Sequence, residues 1–231
     1  MNLSSLSFFR SLRQENRQFA VIGLGRFGRA VCSTLHKLGY EVLGTDVDER
    51  RVAQALKDQI VAYAVQLDST DPAALKEAGI FEFDTVIVAI GNYLEESVIT
   101  TLNVKEAGVP HVVAKAASEV HCKLLRRVGA DHVVYPENEG GCALARSLTK
   151  PSILDRFDID PNHSIVEVLV QEEFHSKTVA QLELRKRYGL NLLASGQDEH
   201  FEINPDPNIR LYKGMALIVI GSNRDIDRLP I

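Results

Sequence analysis

The stretch QFAVIGLGRFGRAV, residues 18–31, decides how this chain is read. FAVIG is a short apolar run with β-branched residues, and RFGRAVCSTLHKLG carries a helical pattern. Between strand and helix lies Gly23-x-Gly25-x-x-Gly28. In such a strand-turn-helix unit the first glycine permits the tight turn, the second lets backbone approach a pyrophosphate, and the third lets the helix pack on the strand. Asp46 ends the next strand run, EVLGTD, 18 residues beyond Gly28. A carboxylate there can accept bonds from adenosine ribose hydroxyls, and Asp48 lies beside it. It also repels a ribose 2'-phosphate, which leaves NAD or an adenine nucleotide and disfavours NADP. Arg26, a long cation inside the turn, has no obvious place in a hydride-transfer enzyme.

Outward from this unit, short β-branched runs alternate with helical patterns, the signature of a parallel sheet covered on both faces. The strand runs are FAVIG, EVLGTD, IVAYAV, TVIVAI, HVVAKA and HVVYP. Six strands with five crossovers make an α/β, Rossmann-type doubly wound domain over residues 18–137. Residues 138–158 read as a crossover helix that breaks at Pro151, a hinge rather than another strand. Residues 159–231 then read as a small α+β lobe, with IVEVLV, TVAQLELRKRYG, LNLLAS, a turn-rich NPDPNIRLYKG and MALIVIGS. A lobe of that size commonly needs a partner surface, so dimerisation is expected.

Composition narrows the function. With 26 basic and 31 acidic residues the net charge is −5, so nucleic acid is not an expected partner. Cys32, Cys122 and Cys142 are too far apart in sequence for a zinc or dithiol motif and read as reduced thiols of a cytoplasmic protein. No apolar run reaches the roughly 20 residues of a membrane span. Residues 1–17 read as a flexible tail, or as a short amphipathic helix through Leu3, Leu6, Phe9 and Leu12.

Further candidates lie at the carboxyl ends of later strands, where open α/β sheets bind ligands. They are Asp68 and Ser69, then Ala89, Ile90 and Gly91, then Lys115. Lys115 also reads as a surface lysine, and Asp68-Ser69 as the cap of a helix beginning near Asp71. Machinery for catalysis is not visible: no tyrosine is followed four residues later by lysine, no serine sits in a nucleophile elbow, and the seven histidines are scattered. The chain therefore does not read as an enzyme. A compact NAD(H)-dependent oxidoreductase or NADH redox sensor stands as the alternative.

FAVIGLGRFG, VIVAIG, KAAS, GADHVVYPE and the ending LYKGMALIVIGS together resemble the regulator-of-potassium-conductance family, nearest its cytosolic Ktr/Trk-type subunits. The likeness runs from Gln18 to about Ile226, and departs from many relatives at Leu67, where they carry glycine before the aspartate. It implies an ATP- or ADP-sensing regulatory subunit under a membrane-embedded potassium transporter (KtrB/TrkH-like), peripheral on the inner membrane face. Dimers would assemble into an octameric ring. It further implies that nucleotide sites near a shared dimer interface let Arg26 and Glu137 act across subunits on the terminal phosphate and an associated Mg or Na ion at Glu137, with Phe27 among the nucleotide-binding residues. Glu137 is equally read as an acid on a helix dipole. Some relatives bind cyclic di-AMP between paired C-terminal lobes, a role open here to SIVEVLV, Arg185 and NPDP, as is a plain dimer interface.

Overall fold

The computed structural model describes residues 18–149, 152–197 and 200–230. The reading of the first 17 residues and the break at Pro151 lie outside these. The chain divides into two compact units, one ending at Glu139 and one beginning at Gly140.

In the first unit the strands are β1 (Phe19–Ile22), β2 (Val42–Asp46), β3 (Tyr63–Gln66), β4 (Thr85–Val88), β5 (His111–Lys115) and β6 (His132–Val134). They form one parallel sheet in the order β3-β2-β1-β4-β5-β6. Every residue of β2 and β4 is buried, which is why neither shows an apolar-polar alternation; β2 even buries the polar Thr45 and Asp46 at its carboxyl end. The helices are α1 (Arg26–Lys37), α2 (Glu49–Lys57), α3 (Pro72–Glu77), α4 (Leu94–Glu106) and α5 (Glu119–Arg127); α6 (Pro136–Thr149) leads into the second unit. Asp48, Asp71 and Ser118 cap α2, α3 and α5 through side-chain oxygens that accept first-turn N–H groups. Two apolar clusters form the core, one around Ile22, Leu75, Val88 and Leu125 and one around Val21, Leu24, Cys32 and Ile87. Burial pushes the Cys32 thiol up to about 12, so it packs as an uncharged side chain. Because β2 and β4 flank β1 on opposite sides, strand order reverses at β1, and the crevice of the fold opens beside the β1–α1 turn.

The second unit is an antiparallel sheet of β7 (Ile153–Asp158), β8 (His163–Leu169), β9 (Asn191–Gln197), β10 (His200–Ile203) and β11 (Ala216–Ser222), in the order β10-β9-β11-β8-β7. Short helices α7 (Val179–Leu182), α8 (Leu184–Tyr188) and α9 (Asn223–Ile226) accompany it. Phe174, Leu182, Leu190, Leu217, Val219 and Ile226 form its core. Here the structure corrects the sequence: ILDRFD is not a hinge segment but the strand β7. It forms a hairpin with β8, pairing Phe157 with Ile165 and Asp158 with Ser164. Asp160 closes the connection by accepting from the Asn162 and His163 backbone N–H groups. The strand β10, HFEI, also has no counterpart among the expected runs.

Candidate nucleotide site

Each glycine of the turn has a different reason to be there. Gly23 sits at φ 101°, which side-chain-bearing residues rarely adopt, and its N–H donates to the Thr45 carbonyl at 2.7 Å. A Cβ on Gly28 would run into the Gly23 carbonyl oxygen. Gly25 has an ordinary φ of −69°, and a Cβ there would meet no heavy atom within 4 Å. The fold requires the first and third glycines and makes no demand on the second.

Gly25 is also the N-cap of α1, and it offers no side-chain bond to that helix. The first turn of α1 holds no acid and begins with Arg26, which is exposed and has no ion-pair partner among the described residues. A cation at a helix N-terminus opposes the helix dipole, so Arg26 is misplaced for the helix alone and well placed for an anion. Open space, uncapped N–H groups and a guanidinium thus meet at one point, which fits a polyphosphate.

Asp46 is more occupied than its sequence position suggests. Its side chain is 3% exposed; one oxygen accepts from the Leu24 N–H at 2.7 Å and from Arg51 at 3.3 Å, and the other from the Asp48 N–H at 2.9 Å. The carboxylate therefore fastens the glycine turn to the end of β2, and Asp46→Ala would disturb the turn as well as any ribose bond. Asp48 caps α2, and the Arg50 side chain and backbone N–H hold its carboxyl below the usual carboxylate range. The Arg51 contact had no sequence signal beyond the helical pattern of DERRVAQALKD.

Lys115 is not a surface lysine. Its side chain is 12% exposed, its Nζ donates to Glu137 at 2.7 Å, and the Phe27 ring lies 5.7 Å from the ammonium. Glu137 occupies the first turn of α6. Its carboxyl is held below the ordinary range, first by the Lys115 bond, then by its own backbone N–H, with the field of Arg26 adding to both. Phe27, Gly91, Lys115 and Glu137 therefore form one cluster. Ala89 is buried and its N–H donates to the Ile22 carbonyl, Ile90 packs partly buried on the core, and the hypothetical Cβ of Gly23 would touch the Ala89 carbonyl.

Asp68 and Ser69 stand apart from this group. Asp68 accepts from the Thr70 N–H and hydroxyl, which lowers its pKa, and Ser69 is buried against the Thr100 hydroxyl at 2.8 Å. The cap of α3 is Asp71, not this pair. No group of three or more His, Cys, Asp or Glu that could hold a metal occurs among the described residues. His121, read from sequence as a helix or sheet-end residue, lies in α5; it is 1% exposed, and its Nδ1 accepts from the Ala117 N–H in the turn after β5. The Ser118 cap in KAASEVH was the available signal.

In the second unit an open groove of about 390 Å³ is lined by residues of α7, α8 and β9, among them Glu183, Leu184, Arg185, Leu190, Asn191 and Leu192. Neither SIVEVLV nor NPDP lines it: Ser164, Val166 and Val168 of β8 are buried, while Ile165, Glu167 and Leu169 on its other face are half-buried. No helix among the described residues is long and apolar enough to cross a membrane.

Comparison with known proteins bears on this geometry. Residues 19–136 match the TrkA-N domain and residues 165–229 the TrkA-C domain. The chain is 39% identical over 212 residues to the Ktr system potassium uptake protein C of Bacillus subtilis (strain 168), covering 92% of this chain and 95% of that one. It is 37% identical over 216 residues to protein A of the same system and organism, covering 94% and 96%. Among solved structures a GsuK channel bound to NAD superposes with a TM-score of 0.66 at 18% identity, over 96% of this chain and 42% of that one, a likeness of fold.

Proposed function

We propose, because the chain belongs to the regulator-of-potassium-conductance family of TrkA-N and TrkA-C domain proteins, that it is a nucleotide-sensing regulatory subunit of a potassium uptake system. Its membrane-embedded partner would be a KtrB/TrkH-like transporter subunit, on whose inner face this chain would sit. The ligands of the first unit would be ATP and ADP, and the observation that carries this is Arg26 in the uncapped first turn of α1 beside the open space at Gly25. A guanidinium there makes charge-assisted bonds of roughly 1.5–3 kcal/mol each, and their number grows with the phosphates within reach. An adenine nucleotide therefore fits these residues better than NAD, whose pyrophosphate has no terminal group.

No chemical step is involved. ATP and ADP would bind two arrangements of an assembled dimer or octameric ring unequally, and the difference in affinity would shift the population between them. A Mg or Na ion at Glu137 would take its other ligands from phosphate oxygens and water, since no cluster of three or more His, Cys, Asp or Glu occurs among the described residues. In the second unit, the groove beside Arg185, with Asn191 and the apolar Leu184, Leu190 and Leu192, is the proposed place for cyclic di-AMP, whose phosphates need a cation and whose bases need apolar walls.

The test is thermal unfolding of the protein and of Arg26→Ala and Arg185→Ala against ATP, ADP, NADH and cyclic di-AMP, with and without magnesium. A ligand at about 100 times its Kd adds roughly 2.7 kcal/mol. Stabilisation by ATP that Arg26→Ala removes supports the reading. Stabilisation by NADH alone, indifferent to Arg26, replaces it with the redox sensor.

A further inference from the structure

Asp46 has less room for a ribose than its place at the end of β2 suggests. A carboxylate offers about four acceptor positions, and donors among the described residues take three: the Leu24 N–H at 2.7 Å and Arg51 Nη1 at 3.3 Å on one oxygen, the Asp48 N–H at 2.9 Å on the other. A ribose brings two adjacent hydroxyls, so one of these donors must leave before both can bind. Two of the three are fixed by the fold. The Leu24 N–H belongs to the glycine turn, on a residue that is fully buried. The Asp48 N–H belongs to a loop pinned from β3, where the Leu67 N–H donates to the Asp46 carbonyl at 3.2 Å and the Gln66 amide to the Val47 carbonyl at 3.0 Å. Arg51 differs. Its side chain is 52% exposed, its contact with Asp48 is 4.0 Å long, and it stands in the first turn of α2, where a cation opposes the helix dipole. What keeps it there is Asp46, a carboxylate so buried that it needs a charge partner.

Resting on the nucleotide reading above, we propose that Arg51 is a placeholder on Asp46 that the ribose of a bound nucleotide displaces, and that it thereby sets how strongly the site prefers ribonucleotides to their deoxy analogues. A ligand with both hydroxyls takes the free acceptor position and the one that Arg51 gives up. It gains two hydrogen bonds to a charged acceptor, and one ion pair is lost. A ligand lacking either hydroxyl takes the free position alone and leaves Arg51 seated. A hydrogen bond to a charged group outweighs an ion pair that is half in water, so the exchange favours the complete ribose, but by less than a full bond. The released guanidinium stays beside Asp48, so no charge is stranded. Arg51 is thus a specificity-determining residue that works against the ribose hydroxyls, the opposite sense to Arg26, whose charge works for the phosphates.

The experiment is calorimetry of the full chain with ATP, ADP, 2'-deoxy-ATP and 3'-deoxy-ATP, on the wild type, Arg51→Met and Arg50→Met. Arg51→Met keeps an apolar stem and removes the donor. Arg50→Met removes the neighbouring cation, whose side chain bonds to Asp48, and so reports the mere loss of a positive charge near a polyphosphate. The wild type should bind ATP about tenfold more tightly than either deoxy analogue, one charged hydrogen bond less one exposed ion pair. Relative to Arg50→Met, Arg51→Met should bind ATP about threefold more tightly and the analogues equally well, so that the preference for ATP widens about threefold. A purely structural role for Arg51 would move all the ligands alike. Such a uniform change, or weaker ATP binding by Arg51→Met than by Arg50→Met, overturns the placeholder and leaves the nucleotide reading standing. So does a wild type that binds ATP and both analogues equally, since Asp46 then does not meet the ribose. Failure of the wild type to bind ATP or ADP overturns both.

Discussion

The two sheets differ in what their edges collect. In the first unit all six strands run the same way, so every strand ends on one side and the loops carrying Gly23, Asp46, Gly91 and Lys115 converge there. In the second unit neighbouring strands run in opposite directions, so no single edge gathers their ends, and the open groove is lined by two short helices and the start of β9. A parallel sheet builds a site from segments far apart in sequence, whereas the antiparallel one borrows a site from neighbours along the chain. The first arrangement can read one ligand at several points. The second needs something more, such as another copy of the groove, to surround one.

The largest effect should come from breaking one unit and asking whether the other notices. Phe174 is 1% exposed in the core of the second unit. Phe174→Ala should cost about 3–5 kcal/mol in that unit. Nucleotide binding by the first unit, measured by calorimetry below the new unfolding transition, should persist. Its loss would mean that the parallel-sheet site depends on the second unit and that the contrast between them is false.

Next comes the turn itself. A methyl on Gly28 has no free volume, because the Gly23 carbonyl oxygen already occupies its place. Gly28→Ala should therefore destabilise the first unit by roughly 1–3 kcal/mol, the usual cost of overpacking, and abolish nucleotide stabilisation. Chemical denaturation with and without ATP measures both. A variant as stable as the wild type would show that the helix can slide off the strand, and that the third glycine serves something other than packing.

These two residues also mark what the sequence made readable. Gly28 could be read from spacing because its partner, Gly23, is five positions away in the same turn. The strand β4 was readable because a strand buried on both faces lacks polar alternation, and β2 because its apolar start ends on the carboxylate Asp46. β7 and β10 were not: they are the two edges of the antiparallel sheet, with exposed Leu154, Phe157 and Ile203, and their runs ILDRFD and HFEI mix charge with apolar residues. Lys115, Glu137, Gly91 and Arg26 were each readable as positions. Their meeting was not, since Lys115 and Glu137 are 22 residues apart and touch only because β5 lies beside β6, which α6 follows. The second role of Asp46, as acceptor for the Leu24 N–H, was hidden for the same reason.

Acid should act on the first unit in two separate ranges. Burial lowers the pKa of His121 and of His132, so the unfolded chain takes up these protons first as pH falls. Their stabilisation is complete above the ordinary histidine value of about 6.5 and is lost below it. Protonated His121 would also place a proton on Nδ1, against the Ala117 N–H that Nδ1 accepts at 3.2 Å. The lowered carboxyls of Asp48, Asp68 and Glu137 act in the same sense but only below about pH 4, as pH falls through the ordinary carboxylate value and then through theirs. Urea unfolding of the first unit at several pH values should show a decline in the histidine range that His121→Phe flattens. An unchanged slope would exclude the buried histidine as the cause.

The smallest effect on stability should be the most informative about the site. Gly25→Ala adds a methyl where no heavy atom lies within 4 Å, at a φ that alanine adopts freely. Removing glycine from the unfolded chain is worth roughly 0.4–1 kcal/mol, and alanine is a poorer N-cap than glycine, so the two terms offset and the fold should move by less than about 0.5 kcal/mol. That methyl would project into the space over the first turn of α1 beside Arg26, where the phosphates would approach most closely. Calorimetry should therefore find ATP binding weakened by tenfold or more, about 1.4 kcal/mol, in a protein of unaltered denaturation midpoint. Gly28 and Gly25 then separate the two uses of one motif, the former serving the fold and the latter the ligand. Undiminished ATP binding by Gly25→Ala would place the phosphates away from the turn and remove the reason given for its second glycine.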